Sequence, residues 1–158
     1  MAKSKEESPA DKAVCRNRRA YHDYHILEKL EAGLALTGSE VKSLRDGKAS
    51  IEEAYGRLQD GEVWLIGADI PIYPQANRMN HVPKRPRKLL LHKREIARFA
   101  GRATQRGFTL IPLRLYFRRG YAKLELGVAR GKKLYDKRQA MREKSAQKDI
   151  RRAMSGRR

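Results

Sequence analysis

Histidine, cysteine and carboxylate spacing is where chemistry would first declare itself in this chain, and none of it builds a reactive centre. His22 and His25 stand three apart with Asp23 between them, a spacing that suggests a metal site. On the strand expected here, positions i and i+3 point to opposite faces, so the two rings cannot close on one tetrahedral ion. His81 and His92 are isolated in sequence, and no CxxC, HExxH or glycine-rich phosphate loop occurs. Glu52 and Glu53 are adjacent and would face opposite ways on a strand. Glu31, Glu40 and Asp69 are scattered, with no spacing that implies general acid–base work. Cys15 is the single cysteine, which excludes an internal disulfide and suits a reducing compartment. No base stands beside it to activate the thiol. The expectation is a protein that is not an enzyme and needs neither metal nor cofactor.

Cationic side chains interleaved with rings point elsewhere. Arg16, Asn17, Arg18 and Arg19 precede Tyr21 and Tyr24, and the stretch from Arg114 to Tyr121 carries Tyr116, Phe117, Arg118 and Arg119. Rings stack on unpaired bases while Arg and Lys meet phosphates, a combination suited to RNA. The whole chain has 37 Lys and Arg against 18 Asp and Glu, a net charge of +19. Residues 131–158 hold eleven of the cations and three of the acids, so +8 falls on this tail and +11 on the rest. Such a field selects polyanions, nucleic acid first and an anionic membrane second. No apolar run approaches the ~18 residues a membrane span needs, and no secretory signal pattern is present. A cytoplasmic location without membrane attachment follows as the expectation. Charge alone does not separate RNA from DNA.

The elements that would position these residues can be read from periodicity. Residues 1–16 are polar and read as a disordered leader, 17–130 as one domain, and 131–158 as a basic tail. The tail's large aliphatic residues, Leu134, Met141, Ile150 and Met154, cannot bury enough surface to offset the entropy of ordering, so it is expected to be unfolded when free. Met141, Lys144 and Lys148, with Ile150 and Met154, still keep a three-to-four spacing compatible with a helix formed on contact. From Tyr24 a strand alternates through Ile26, Leu30 and Leu34, with Gly33 marking a bulge or bend. Thr37 and Glu40 form the capping-box pattern of a helix that Gly47 ends. Asp60-Gly61 signals a hairpin between Ala54–Gln59 and Glu62–Ile70. A second hairpin joins Leu110–Phe117 to Tyr121–Val128, with Leu113, Leu115 and Phe117 on an apolar face and Arg114, Tyr116 and Arg118 on a cationic one. Residues 70–88, rich in proline, read as an exposed loop, and 89–107 as a helix with Ile96, Phe99, Ala100 and Ala103 inward. Five or six antiparallel strands with peripheral helices suggest a small barrel of the oligonucleotide-binding type.

Six segments then carry a resemblance: NRRAYHDYHI (17–26), EAGLALTGSEVKSLRDGKASI (31–51), DGEVWLIGADIPIY (60–73), RPRKLLLHKREI (85–96), LIPLRLYF (110–117) and ARGKKLYDKR (129–138). In that order they resemble the SsrA-binding protein (small protein B) family, the bacterial partners of transfer-messenger RNA. The resemblance implies a mainly β fold: a six-stranded antiparallel oligonucleotide-binding-type barrel, two or three peripheral helices, and a basic tail that becomes helical on the ribosome. It implies an adaptor that binds the tRNA-like domain of transfer-messenger RNA and delivers it to ribosomes stalled without a usable codon. The tail would probe the empty mRNA channel near the decoding region. The family's RNA-facing residues match Asn17, Glu31, Leu91 and Lys123. The surrounding cations and rings Arg18, Arg19, Tyr24, Lys88, His92, Lys93 and Arg94 complete the expected RNA surface. The ribosome-sensing segment is expected at Lys132, Lys133, Tyr135, Asp136, Lys137 and Arg138. Many members carry His where this chain has Tyr135, a residue whose ring can stack on a base but which departs from the family pattern. A monomer is expected. The alternatives are a structural ribosomal protein, or another basic RNA-binding protein of the translation machinery; an RNA-processing enzyme is the remaining rival.

Overall fold

The computed structural model describes residues 13–103, 107–132 and 134–156. Seven strands form one antiparallel sheet: β1 (Ala13–Arg16), β2 (Tyr24–Leu34), β3 (Tyr55–Gln59), β4 (Glu62–Ile66), β5 (Arg87–Leu90), β6 (Phe108–Arg118) and β7 (Tyr121–Gly131). Their order is β1-β6-β3-β4-β5-β2-β7, and a further β6–β7 pairing joins the last strand back to the second. The hydrogen bonds therefore run in a closed circuit of six strands, with β1 added on β6. Six strands were expected, and two of the seven were not recognised in the sequence. β5 is four residues, Arg-Lys-Leu-Leu, too short to alternate, and its leucines extend the apolar pattern of the helix that follows. β1 lies in the stretch read as leader, where Cys15 pairs with Leu115. Burial there pushes the Cys15 thiol up to about 11. Residues 1–12 of the expected leader lie outside the described residues.

Both two-residue turns place their central residues at positive φ, Asp60 and Gly61 at 51° and 74°, Arg119 and Gly120 at 51° and 80°. That twist matches the flanking strands, which is why these turns make tight hairpins. In the long β6–β7 hairpin Leu124, Leu126 and Val128 are fully buried. β6 departs from the expected two-faced pattern: Leu110 to Tyr116 is buried throughout, Arg114 and Tyr116 included. The face read as cationic and exposed is largely covered. The expected irregularity at Gly33 is at Leu27 instead, where the β2–β7 register shifts between Ile26 and Glu28.

Four α-helices occur among the described residues: α1 (Ala20–Asp23), α2 (Gly38–Arg45), α3 (Lys93–Ala103) and α4 (Leu134–Ser155). α3 starts after β5, four residues later than the apolar run suggested, and buries Phe99 against the core with Ile96 beside it. Arg98 and Arg102 tether it to Glu28 of β2 at 2.5 and 2.8 Å. α4 occupies most of the tail expected to be unfolded. Between residues 134 and 155 there is no Gly or Pro and one β-branched residue, Ile150, among many strong helix formers. Its 22 residues exceed the ~12–15 at which a helix becomes marginal without tertiary packing.

α2 is anchored by Glu40, which is wholly buried. Its carboxylate accepts the Thr37 backbone N–H at 2.9 Å, closing the capping box, and Arg85 Nε at 3.1 Å. It also accepts Arg85 Nη2 and Arg87 Nε. Arg87, equally buried, sends its remaining N–H groups to the carbonyls of Ala68 at 2.8 Å and Pro83 at 2.9 Å. The loop of residues 70–86 is held from the same helix: Ser39 Oγ meets His81 Nδ1 at 2.9 Å, Ser43 donates to the Pro71 carbonyl at 2.8 Å, and Asn80 brackets Tyr73. A short 3-10 helix, Pro74–Met79, forms its outer turn.

Burial alone would push the Glu40 carboxyl up, but Arg85, the Thr37 N–H and Arg87 outweigh it and hold the group at about 2. A carboxyl depressed from 4.5 to about 2 contributes stability that is complete above about pH 4.5 and is lost as pH falls toward 2. Glu40→Gln leaves Arg87 buried without its countercharge and is expected to cost about 3–5 kcal/mol. Urea unfolding at pH 7 and pH 3 checks this. The gap between wild type and variant should narrow at the lower pH, and an equal gap at both would contradict the assignment.

Candidate nucleic-acid interface

Register brings part of the expected RNA surface together. Tyr116 of β6 pairs with Lys123 of β7, Lys123 with Gly33 of β2, and Gly33 with Leu90 of β5. The chain then passes through Leu91 and His92 into α3, whose exposed first turn carries Lys93 and Arg94. His92 is 91% exposed in its side chain, and its backbone N–H donates to Glu95 at 3.2 Å. Leu91 is half-buried and packs against the core. Lys88 of β5 pairs with Glu62 at 2.9 Å.

Glu31 lies on the same outer face as Lys123, one strand pair away, and its carboxylate is already engaged. It accepts from the Tyr116 hydroxyl and from Arg118. Arg114 and Arg118 lie 4.2 and 5.5 Å from the centre of the Tyr116 ring. Burial, reinforced by the Glu31 carboxylate, holds the Tyr116 hydroxyl well above its usual range. Glu125, opposite Glu31, meets Lys29 and Arg114, both at 3.6 Å. Sequence reasoning named Glu31 and this cationic strand separately. Their union depends on cross-strand register, which no local spacing reveals.

A second group sits at the other end of the β2–β7 pair. Tyr24 pairs with Gly131. Lys132 donates its backbone N–H to Asp23 and its Nζ to the Tyr21 carbonyl, each at 2.9 Å. Arg18 and Arg19 are exposed beside α1, and Tyr24 is half-buried. Asn17 does not join them. It is 3% exposed, donates Nδ2 to the Pro112 carbonyl at 2.9 Å and accepts the Ala20 N–H at 3.2 Å, so it fastens α1 to β6. Tyr135, Asp136, Lys137 and Arg138 fall in the first turns of α4, with Arg138 exposed. Lys133 lies outside the described residues. Lys132 follows Lys123 by nine positions along β7 and its exit, about 30 Å at strand rise. Lys123 and Lys132, with the expected site residues beside each, thus mark two ends of the strand pair. Among the described residues no group of His, Cys, Asp and Glu is arranged to hold a metal ion, and no helix is long and apolar enough to cross a membrane.

The family model for SmpB protein matches residues 14–156. An SsrA-binding protein of Carboxydothermus hydrogenoformans is 54% identical over 147 residues, covering 93% of this chain and 99% of its own. One from Acidothermus cellulolyticus is 56% identical, covering 92% of each chain. A chain from a solved structure described as "tmRNA-SmpB: a journey to the center of the bacterial ribosome" is 53% identical, with a TM-score of 0.65 over 76% of this chain and 85% of that one.

The geometry separates two kinds of contribution at the Lys123 end. Glu31→Ala removes the acceptor of a buried hydroxyl and the countercharge of Arg118, and is expected to cost about 1–3 kcal/mol of stability. Lys123→Ala should change stability by no more than about 0.5 kcal/mol while lowering the slope of log affinity against log salt by about 0.7–0.9 per lost phosphate contact. Urea titration and salt-dependent binding to structured RNA read the two effects independently.

Proposed function

This chain belongs to the SmpB protein family, and from that premise we propose that it is a non-enzymatic RNA-binding adaptor of trans-translation. It binds the tRNA-like domain of transfer-messenger RNA and delivers it to stalled ribosomes in the cytoplasm, acting as a monomer. The observation that carries this reading beyond family membership is the placing of Lys123 and Lys132, with the expected site residues beside each, at two ends of one strand pair. One macromolecule can be held at Lys123, Lys93 and Arg94 while another is met at Lys132 and α4.

In this reading residues 17–130 are an oligonucleotide-binding-type barrel, a description supported by the closed six-strand circuit. The tRNA-like RNA is held at the first group, with Lys123, Lys88, His92, Lys93 and Arg94 reaching phosphate and Glu31 aligning Arg118 beside them. Leu91 and Asn17 serve by packing rather than by contact. Arg18, Arg19 and Tyr24 form the shoulder where RNA and tail meet. α4 enters the empty mRNA channel, and Tyr135, Asp136, Lys137 and Arg138 at its root report that the channel is vacant. A helix whose described side chains beyond its first two turns are all exposed suits this task, because those side chains are open to a polyanion. Its cations meet phosphate on every side, and the contacts it gains appear only when no message occupies the path.

Truncation after Lys132 leaves every strand complete. Affinity for the tRNA-like RNA, measured by gel shift at fixed salt, should stay within about threefold, since the α4 cations lie away from that surface. Tagging of stalled chains in a reconstituted translation system should be abolished. Loss of RNA binding on truncation would overturn the division of labour. Asp136→Ala with Lys137→Ala and Arg138→Ala should leave recruitment of the RNA intact and reduce peptidyl transfer to it. Equal loss of both would reject the role given to the α4 root.

A further inference from the structure

Glu52 and Glu53 do not lie on a strand. The Ala54 N–H donates to the Ile51 carbonyl at 3.1 Å, closing a turn just before β3. As a result the two adjacent glutamates, both exposed, line the same cleft. This cleft, about 310 Å³, is also lined by Arg19, Tyr24, Tyr55 and Thr109. It opens where the sheet is most weakly sewn, since β3 meets β6 through the single register pair Gly56–Leu110. A Cβ at position 56 would stand 2.7 Å from the Leu110 Cβ, so glycine is needed for the strands to meet there at all. A second cleft, sharing Tyr55 and Thr109 and adding Arg57, continues from the first past this seam.

We propose that the cleft receives one unpaired guanine base. The inference rests on the RNA-binding reading above and extends it to a specific base. The paired acids of the cleft favour a group that presents N–H donors, while Arg19 beside them leaves room for an attached phosphate. A metal ion is disfavoured because no described group of acids, histidines or cysteines has metal-holding geometry. Guanine alone among the four bases offers two adjacent N–H donors, N1–H and N2–H, which one carboxylate accepts side by side. Adenine and cytosine set a lone-pair nitrogen beside their single amino group, and uracil flanks its one N–H with two carbonyls, so each meets a carboxylate with repulsion. The exposed Tyr55 ring, 44% accessible, and the half-buried Tyr24 ring give stacking surface. Arg19 at one side and Arg57 in the continuing groove are placed for the flanking phosphates. The cleft adjoins Asp23, which accepts the Lys132 N–H, so the base would be held beside the root of α4.

The guanine could come from the transfer-messenger RNA or from ribosomal RNA, and the test separates these. The full-length chain is bound to the tRNA-like RNA in one arm and, with that RNA, to ribosomes with an empty mRNA channel in the other. Each complex is treated with kethoxal, which reacts at guanine N1 and N2, and with dimethyl sulfate for adenine N1. Wild type is compared with the double variant Glu52→Gln and Glu53→Gln, whose side chains are exposed and whose fold is checked by circular dichroism. The expected result is one guanine, in one of the two RNAs, protected about tenfold or more by wild type and unprotected with the variant, with adenine reactivity unchanged between them. A 15N-labelled wild-type chain titrated with GMP should show saturable shifts at amides 52–55 that AMP, CMP, UMP and spermidine fail to produce. Shifts of equal size with all four nucleotides, shifts with spermidine alone, or no guanine whose protection depends on the two carboxylates would overturn the proposal. Gel shifts on the same samples keep the outcomes distinct. Intact affinity for the tRNA-like RNA with no carboxylate-dependent guanine removes the guanine site alone, whereas absent RNA affinity in wild type removes the adaptor reading itself.

Discussion

The fold depends first on one buried carboxylate. Glu40 has no exposed surface, and removing a charge from water costs several kcal/mol unless geometry is close and every acceptor position is used. Here those conditions are met by residues far apart in sequence: the Thr37 N–H from its own helix start, Arg85 from the end of a proline-rich loop, and Arg87 from the first position of β5. Arg87 spends its other N–H groups on backbone carbonyls of Ala68 and Pro83. One ion cluster thereby fixes where α2 sits, where the loop begins and ends, and where β5 enters the sheet. Because β5 bridges β4 and β2, the closed circuit of strands cannot form with this cluster misplaced.

The long hairpin supplies the second constraint. β7 pairs with both β2 and β6 along nearly its whole length, so the distance between the Lys123 end and the Lys132 end is set by backbone hydrogen bonds and not by side chains. A rigid spacing between two cationic groups is a stronger device than the same charges spread evenly. Two anions held at those ends are held at a defined separation, whereas an even field would let either slide over the surface. Glu31 and Glu125, placed two positions in from the Lys123 end, draw Arg118, Arg114 and Lys29 into local contacts.

Much of this was legible because the relevant physics is local. The Thr37–Glu40 capping box, the Asp60-Gly61 turn and the alternation of Leu124, Leu126 and Val128 each involve residues a few positions apart, and the structure has all three. What escaped was non-local or too short to show a period. Arg85 and Arg87 are more than forty residues from Glu40, and a carboxylate read as a helix cap gave no sign of them. β1 and β5 have four residues each, below the length at which alternation separates strand from helix. Arg114 and Tyr116 read as a solvent face because alternation assumes that one side of a strand stays open. Asn17 and Leu91 were marked as RNA-facing by resemblance alone, since neither stands in a local pattern that announces a role. The structure gives Asn17 a fastening role between α1 and β6, and Leu91 a packing role.

The same distinction explains the tail. Composition decides whether a segment has anything to bury, while helix propensity decides what its backbone does when it buries nothing. Residues 134–155 answer the two questions differently, with almost no apolar surface but an uninterrupted run of helix formers. The consequence is a helix that the chain enters just after Lys132, itself fastened to Asp23 and Tyr21. Its described side chains from Met141 onward are exposed, so that part of the helix adds no core to the strand circuit and is open to a polyanion. Stability resides in the Glu40 cluster and the long hairpin, and reach resides in α4. Keeping the buried cluster and the exposed helical face on separate elements is what a protein that must hold one partner while exploring another requires.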